Sequence, residues 1–337
     1  MSNKTKFTFW LAGASVFAGG FFSAWFLQPI LFPPASGRGS ITREGPQDLI
    51  NPLLSCEIAG EKEFYEFKPL KEKTAAVIQQ NIDRGKASSV SVYFRTLNSG
   101  RWFGVSQDEK FSPASLLKVP IMIAYFKLAE THPEILAKNA VFQDGGNRNR
   151  SEYYKPSRAL AAGETYTIED LISRMITYSD NNAQNILKQN LDPNSLKDVY
   201  TDLGLTIPQS QGEIDFMSPK TYGFIFRVLY GATYLNRLYS NKALALLQKT
   251  EFKDGLAAGL PSGTTVVHKF GERSVTDARG KAQFRELHDC GIVYYPNHPY
   301  LVCIMTRGQS FDDLEDAIAD ISRAIFNETT AFFNNGK

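Results

Sequence analysis

Apolar and polar positions change their spacing several times along this chain, and each change marks a predicted element. Phe7 to Leu27 is a run of roughly 20 residues without a charge, the length that a bilayer core demands. Lys4 and Lys6 precede it, which places the N-terminal end in the cytoplasm and the remainder outside. The run is long and ends in "WFLQPILFPP" without a small-x-small cleavage site, so it reads as a retained anchor rather than a signal peptide. From Pro33 to about Asn51 the composition turns to Pro, Gly, Ser and charge, as in a linker. Residues 1–32 are therefore assigned to an anchor, 33–65 to a linker and lead-in, and 66–337 to a folded domain.

Within that domain "PLKEKTAAVIQQNIDRG" has helical spacing and closes on Gly85. "SSVSVYFRTLNSGRWFGVS" alternates like two strands turning at Asn98-Ser99-Gly100. Leu116 to Leu128 is apolar on every side and predicts a buried helix. Helical patterns follow: Thr167 with Asp170 opens one, the break at "TYSDNN" opens another, and Ser218-Pro219 supplies an N-cap and first-turn proline. After Pro261 the strand pattern returns in "TTVVHKFG", "ELHDCGIVYYP" and "PYLVCIMTRG", the last two joined near Asn297. An amphipathic helix, "FDDLEDAIADISRAIF", ends the pattern. Early and late strands thus join one antiparallel sheet covered by terminal helices. The middle, about 126–218, forms an all-helical lobe, and a cleft between the lobes is the natural place for a site.

Composition adds little: 43% hydrophobic, 21% charged and a net charge of +2 are ordinary for a globular protein. No basic stripe points to nucleic acid, and no HExxH or CxxC pattern points to a metal. Cys290 and Cys303 lie in apolar strands and read as buried free thiols; Cys56 ends "LLSC" too far from the apolar run to be a lipid-attachment box.

The chemistry lies in "SPASLLKVP". Ser115 and Lys118 are three residues apart at a helix start and share a face. A serine needs a base to become a nucleophile, and a desolvated lysine supplies one. Pro120 removes a helical hydrogen bond nearby, which tightens or kinks the start. A Ser-x-x-Lys match alone is common by chance, but two features accompany it. Ser179-Asp180-Asn181 lies at a break between helices, and Lys269-Phe270-Gly271 ends a strand whose backbone edge is able to hold a substrate. His288-Asp289 offers a Ser-His-Asp alternative, against which stands the plainer reading of a strand-end histidine. Tyr153 and Tyr154 read either as stacking residues beside the cleft or as exposed loop tyrosines.

With these three motifs in this order the chain resembles class A β-lactamases and penicillin-binding serine enzymes over roughly Lys68 to Phe333. The resemblance implies an α/β fold of the β-lactamase/transpeptidase type, with a five-stranded antiparallel sheet flanked by helices plus the helical lobe. It makes Ser115 the acylated nucleophile, Lys118 its base, Ser179 the proton shuttle to the leaving nitrogen and Asn181 the ligand of the substrate amide. Lys269 would direct positive charge at Ser179 and a substrate carboxylate, with Gly271 beside it, and the backbone N–H groups of Ser115 and Glu272 would form the oxyanion hole. Phe270 stands where the family usually has a hydroxyl residue that binds that carboxylate, so Arg273 or Arg285 is expected to take over the contact. Class A enzymes also carry Glu-x-x-Leu-Asn before the position of Ser218; here "LTIPQSQGEIDFMS" lacks it, and its only acids, Glu213 and Asp215, both miss the offset of the water-activating glutamate. The implied function is a membrane-anchored, extracytoplasmic, cofactor-free serine hydrolase of β-lactams or related amides. A D,D-peptidase or transpeptidase on peptidoglycan stem peptides is the second reading, and a catalytically impaired wall-binding protein the third.

Overall fold

The computed structural model describes residues 41–42, 53–54, 63–143, 146–205, 214–277 and 279–335. The expected anchor over Phe7 to Leu27, most of the linker, Cys56 and Glu213 lie outside them. Among the described residues no helix is long and apolar enough to cross a membrane. These residues fall into two units: an antiparallel ribbon of Ile41–Thr42 with Leu53–Leu54, and a domain from residue 63 onward.

The domain opens with α1 (Lys68–Asp83), which stops just before Gly85 takes φ 75°. A hairpin of β1 (Ser89–Thr96) and β2 (Trp102–Val105) follows, with Gly100 at φ 69° in its turn. Then comes α2 (Lys118–Ala129), whose residues 118 to 126 are all buried, as a helix apolar on every side must be. A short ribbon, β3 (Asn139–Val141) with β4 (Thr165–Thr167), is not announced by the sequence pattern. Five further helices complete this part: α3 (Ile168–Thr177), α4 (Asn181–Asn190), α5 (Pro193–Asp202), α6 (Pro219–Gly231) and α7 (Arg237–Gln248). Their starts are set by side-chain caps, which satisfy otherwise orphaned N–H groups. Thr167 accepts from Asp170 N, Asp180 from Asn182 N and Ala183 N, and Ser218 from Thr221 N.

Three long strands return the chain to the sheet: β5 (Val266–Thr276), β6 (Ala282–Val293) and β7 (Tyr300–Gly308). Asn297 at φ 61° turns between the last two. The sheet is antiparallel, in the order β2-β1-β7-β6-β5, so β5 is an edge strand and β7 is central. Helix α8 (Phe311–Asn335) packs with α1 on one face. Tyr300, Val302 and Ile304 of β7 join Phe67, Leu70, Leu314 and Ile318 there. Leu301, Cys303 and Met305 point the other way, into a core shared with α2, α3, α6 and α7. Burial on both faces explains why the strands read as continuous apolar runs.

Cys290 and Cys303 are not free thiols. They are register partners on β6 and β7 and form a disulfide. The free-thiol reading rested on local apolarity, whereas the pairing follows from the strand register, which places them opposite each other.

Candidate active site

Ser115 lies in a 3-10 turn, Ala114–Leu117, that feeds α2. Ala114 just before it holds φ 46°, a left-handed conformation that costs a residue with a Cβ and persists only where the surroundings impose it. Pro120 falls in the first turn of α2, where backbone N–H groups have no intrahelical acceptor, so the helix start is tightened and not broken.

Lys118 Nζ has no exposed surface and stands among four acceptors. It lies 2.6 Å from Ser115 Oγ, 2.7 Å from Ser179 O, 3.0 Å from Ser179 Oγ and 2.7 Å from Asn181 Oδ1. Burial pushes its pKa down to about 7, while Glu152, Asp180 and Glu272 hold it back from falling further. A lysine poised there is partly neutral near neutral pH and can accept the serine proton.

Ser179 takes φ 57°, which turns its hydroxyl back between two lysines. Lys269 Nζ lies 3.0 Å from Ser179 Oγ and 2.8 Å from Phe270 O. Lys269 is also fully buried, and burial followed by the charge of Lys118 drives its pKa well below the usual lysine value. Gly271 explains how β5 comes so near: a Cβ there would stand 2.8 Å from Pro113 O and 3.1 Å from Leu116 Cγ. The missing side chain lets the strand edge touch the Ser115 turn.

Two site residues, Asn149 and Glu152, were not predicted from the sequence. Asn149 Nδ2 donates to Asp180 Oδ1 at 2.9 Å, and its Oδ1 accepts from Asn181 N at 2.7 Å, so one amide pins the Ser179–Asn181 turn. Asn181 Nδ2 donates to Glu152 Oε1 at 2.9 Å. The Glu152 carboxyl lies beside that of Glu272. Glu272 in turn accepts the N–H groups of Tyr153 and Tyr154, both at 2.9 Å. Burial raises the Glu272 pKa to about 7, the two N–H groups oppose the rise and Glu152 adds to it. No sequence signal marks Asn149 or Glu152, since both sit in an irregular loop whose partners are remote.

Arg273 and Arg285 do not join the site. Arg273 Nη1 lies 3.3 Å from Asp215 and 3.6 Å from Glu286. Arg285 donates to Gln309 O and covers the Phe311 ring at 5.4 Å. The Ser-His-Asp alternative is also excluded by geometry. His288 Nε2 meets Ser112 O at 2.9 Å and its Nδ1 accepts from Thr306 N, while Asp289 pairs with His268 at 2.8 Å. Burial pushes the His288 pKa down to about 4, so the ring is a neutral strut beneath the Ser115 turn. Tyr153 and Tyr154 are strapped to α8, their hydroxyls donating to Asp312 and Glu315. Among the described residues, no cluster of His, Cys, Asp and Glu would ligate a metal ion.

The model of the Beta-lactamase enzyme family matches residues 69–329. No curated protein matches the chain. Solved structures share the fold. PBP-A superposes with a TM-score of 0.62 at 21% identity, covering 78% of this chain and 97% of that one. A beta-lactamase from Sphaerobacter thermophilus DSM 20745 gives 0.63 at 22% identity, covering 77% and 98%. The TLA-3 extended-spectrum beta-lactamase gives 0.65 at 18%, covering 77% and 99%. At these identities the likeness establishes the fold, and the chemistry must be argued from the site.

Proposed function

The chain belongs to the Beta-lactamase enzyme family, and on that premise we propose that it opens amide or cyclic amide bonds through a covalent Ser115 acyl-enzyme. The observation that carries this reading is the 2.6 Å contact between Lys118 Nζ and Ser115 Oγ, with Ser179 and Asn181 on the same nitrogen. Neutral Lys118 takes the hydroxyl proton as Ser115 Oγ attacks the carbonyl carbon. The N–H groups of Ser115 and Glu272 stabilise the oxyanion, at the place where Gly271 brings β5 against the Ser115 turn. Ser179 Oγ, within 3.0 Å of both lysines, passes a proton to the departing nitrogen. The C–N bond breaks and the acyl group stays on Ser115 as an ester.

Clearance of that ester is less well provided for than its formation. The chain lacks Glu-x-x-Leu-Asn, the class A motif that activates the deacylating water. This favours a long-lived acyl-enzyme of the penicillin-binding kind, with peptidoglycan stem peptides as the second substrate class. The charge-free run from Phe7 to Leu27 supports a location on the outer side of the cytoplasmic membrane.

The test uses a chromogenic β-lactam, whose strained ring makes it a reactive probe of Ser115 whatever the natural substrate. Turnover and intact mass are followed together. A stable adduct that disappears in Ser115→Ala supports the penicillin-binding reading, and sustained turnover supports a β-lactamase. Neither adduct nor turnover would leave the binding-protein reading, or a substrate quite different from a β-lactam.

A further inference from the structure

A substrate carboxylate needs a cation within reach, and the basic residues of β5 and β6 that the resemblance offers are all withdrawn. Lys269 has no exposed surface. Its Nζ donates to Ser179 Oγ and Phe270 O, and the Phe270 ring covers it at 4.0 Å. That ring is itself held by Phe252 at 4.4 Å and Tyr154 at 5.5 Å. Arg273 is engaged by Asp215 and Glu286, and Arg285 by Gln309 O and the Phe311 ring. Phe270 also removes the hydroxyl that would bind the anion.

In place of cations, the same end of the cleft presents acids. Glu272 directly follows the Lys269-Phe270-Gly271 motif, and its carboxyl is fixed by the Tyr153 and Tyr154 N–H groups. Glu152 lies beside it, tied to Asn181. Both carboxyl groups act on the two buried lysines, joined by Asp180 at Lys118 and by Asp289 at Lys269. Ser179, the proton relay to the leaving group, is in contact with Lys269, so this is the leaving-group side of the cleft.

We propose that Glu152 and Glu272 set the specificity of the site: the leaving group carries an uncharged or cationic substituent where it meets β5, and a carboxylate there is rejected. The ligand class is an acyl amide or ester whose departing part ends in a carboxamide or an ammonium. A carboxylate at that position would lose its hydration beside a carboxyl pair that keeps negative charge, with the cations of β5 and β6 turned to other partners. An amide N–H or an ammonium instead finds carboxyl oxygens to donate to. The inference rests on the acyl-enzyme reading and narrows its substrate.

The experiment uses three thioesters that share one acyl group and differ only in the thiol: carboxylate, carboxamide or ammonium. Ser115 Oγ attacks the carbonyl, the C–S bond breaks, and the thiol departs with a proton. Thiol release and intact mass report the same event. The carboxamide and ammonium probes are expected to acylate the enzyme about tenfold faster than the carboxylate probe. Glu152→Gln alone, and with Glu272→Gln, is expected to narrow that ratio. The single variant keeps the Tyr153 and Tyr154 contacts to Glu272, so the result stands even where the double variant loosens the loop. A carboxylate probe that reacts as fast as the others, or a ratio unchanged in both variants, overturns the proposal. No adduct from any of the three probes overturns the acyl-enzyme reading, and this inference with it.

Discussion

Lys118 Nζ lies 2.6 Å from Ser115 Oγ inside a site where the lysine has no exposed surface. Burial alone would make such a lysine neutral, and three nearby carboxyl groups keep it balanced near pH 7. Only the neutral form can take the serine proton, so acylation is expected to fall as pH drops through about 7 and to level off above it. Glu272 titrates in the same range, so the midpoint belongs to the set and not to one residue. Glu272 raises the lysine pKa, and Glu272→Gln is therefore expected to move the midpoint to lower pH. Lys118→Met should lose about 10²–10⁴-fold of the acylation rate. Stopped-flow acylation across pH checks all three outcomes, and a flat wild-type profile from pH 6 to 8 (a window of about one unit on each side) would remove Lys118 as the base.

Gly271 supports a second prediction. A Cβ at this position would meet Pro113 O at 2.8 Å, and that backbone oxygen belongs to the turn carrying Ser115. Gly271→Ala must push β5 away from that turn, at a cost of about 1–3 kcal/mol. The displaced strand also moves the Glu272 N–H from the place proposed for the oxyanion. Thermal unfolding should show the loss of stability, and acylation should fall by about tenfold or more beyond it.

What the sequence could disclose follows from how each feature is encoded. Ser115, Lys118 and the Ser179-Asp180-Asn181 turn sit at helix starts, and helix starts carry local signals such as caps and prolines. The strands were readable because each is a continuous apolar run, and their joining in one antiparallel sheet followed from their placement at both ends of the chain. The Cys290–Cys303 bond was not readable, because it depends on the register between β6 and β7. Arg273 and Arg285 looked available because their partners, Asp215, Glu286 and Gln309, come from three separate segments. Asn149 and Glu152 stayed hidden in a loop without periodicity, although the turn they hold was visible.

Asn149 is accordingly a positioning residue whose removal tests the loop's contribution. Its amide joins Asp180 Oδ1 to the N–H of Asn181. Asn149→Ala leaves that N–H without its acceptor and frees Asn181, one of the four contacts that hold Lys118. The expected result is a loss of about 1–3 kcal/mol in stability. Acylation should slow with a shifted pH midpoint, because the lysine loses part of its fixed surroundings. A variant with lowered melting temperature but an unchanged pH profile would reduce Asn149 to a structural role.

The disulfide gives the last prediction, because it sits in line with the site. Lys269, Cys290, Cys303 and Tyr93 are successive register partners across β5, β6, β7 and β1, so their side chains share one face of the sheet. Alkylation of the unfolded, unreduced protein should therefore leave Cys290 and Cys303 unmodified, and reduction should make both reactive. The bond closes a loop with a sequence separation of 13 residues, and loops of that size give about 3 kcal/mol in the chain-entropy account. Replacing both cysteines by alanine should lower stability by about that amount, measured by urea unfolding. The expected effect on acylation is smaller, since Lys269 keeps its bonds to Ser179 and Phe270 whether or not the sulfurs are joined. Equal loss of stability and of acylation would instead mean that the bond sets the position of β5, and through it the reach of Lys269.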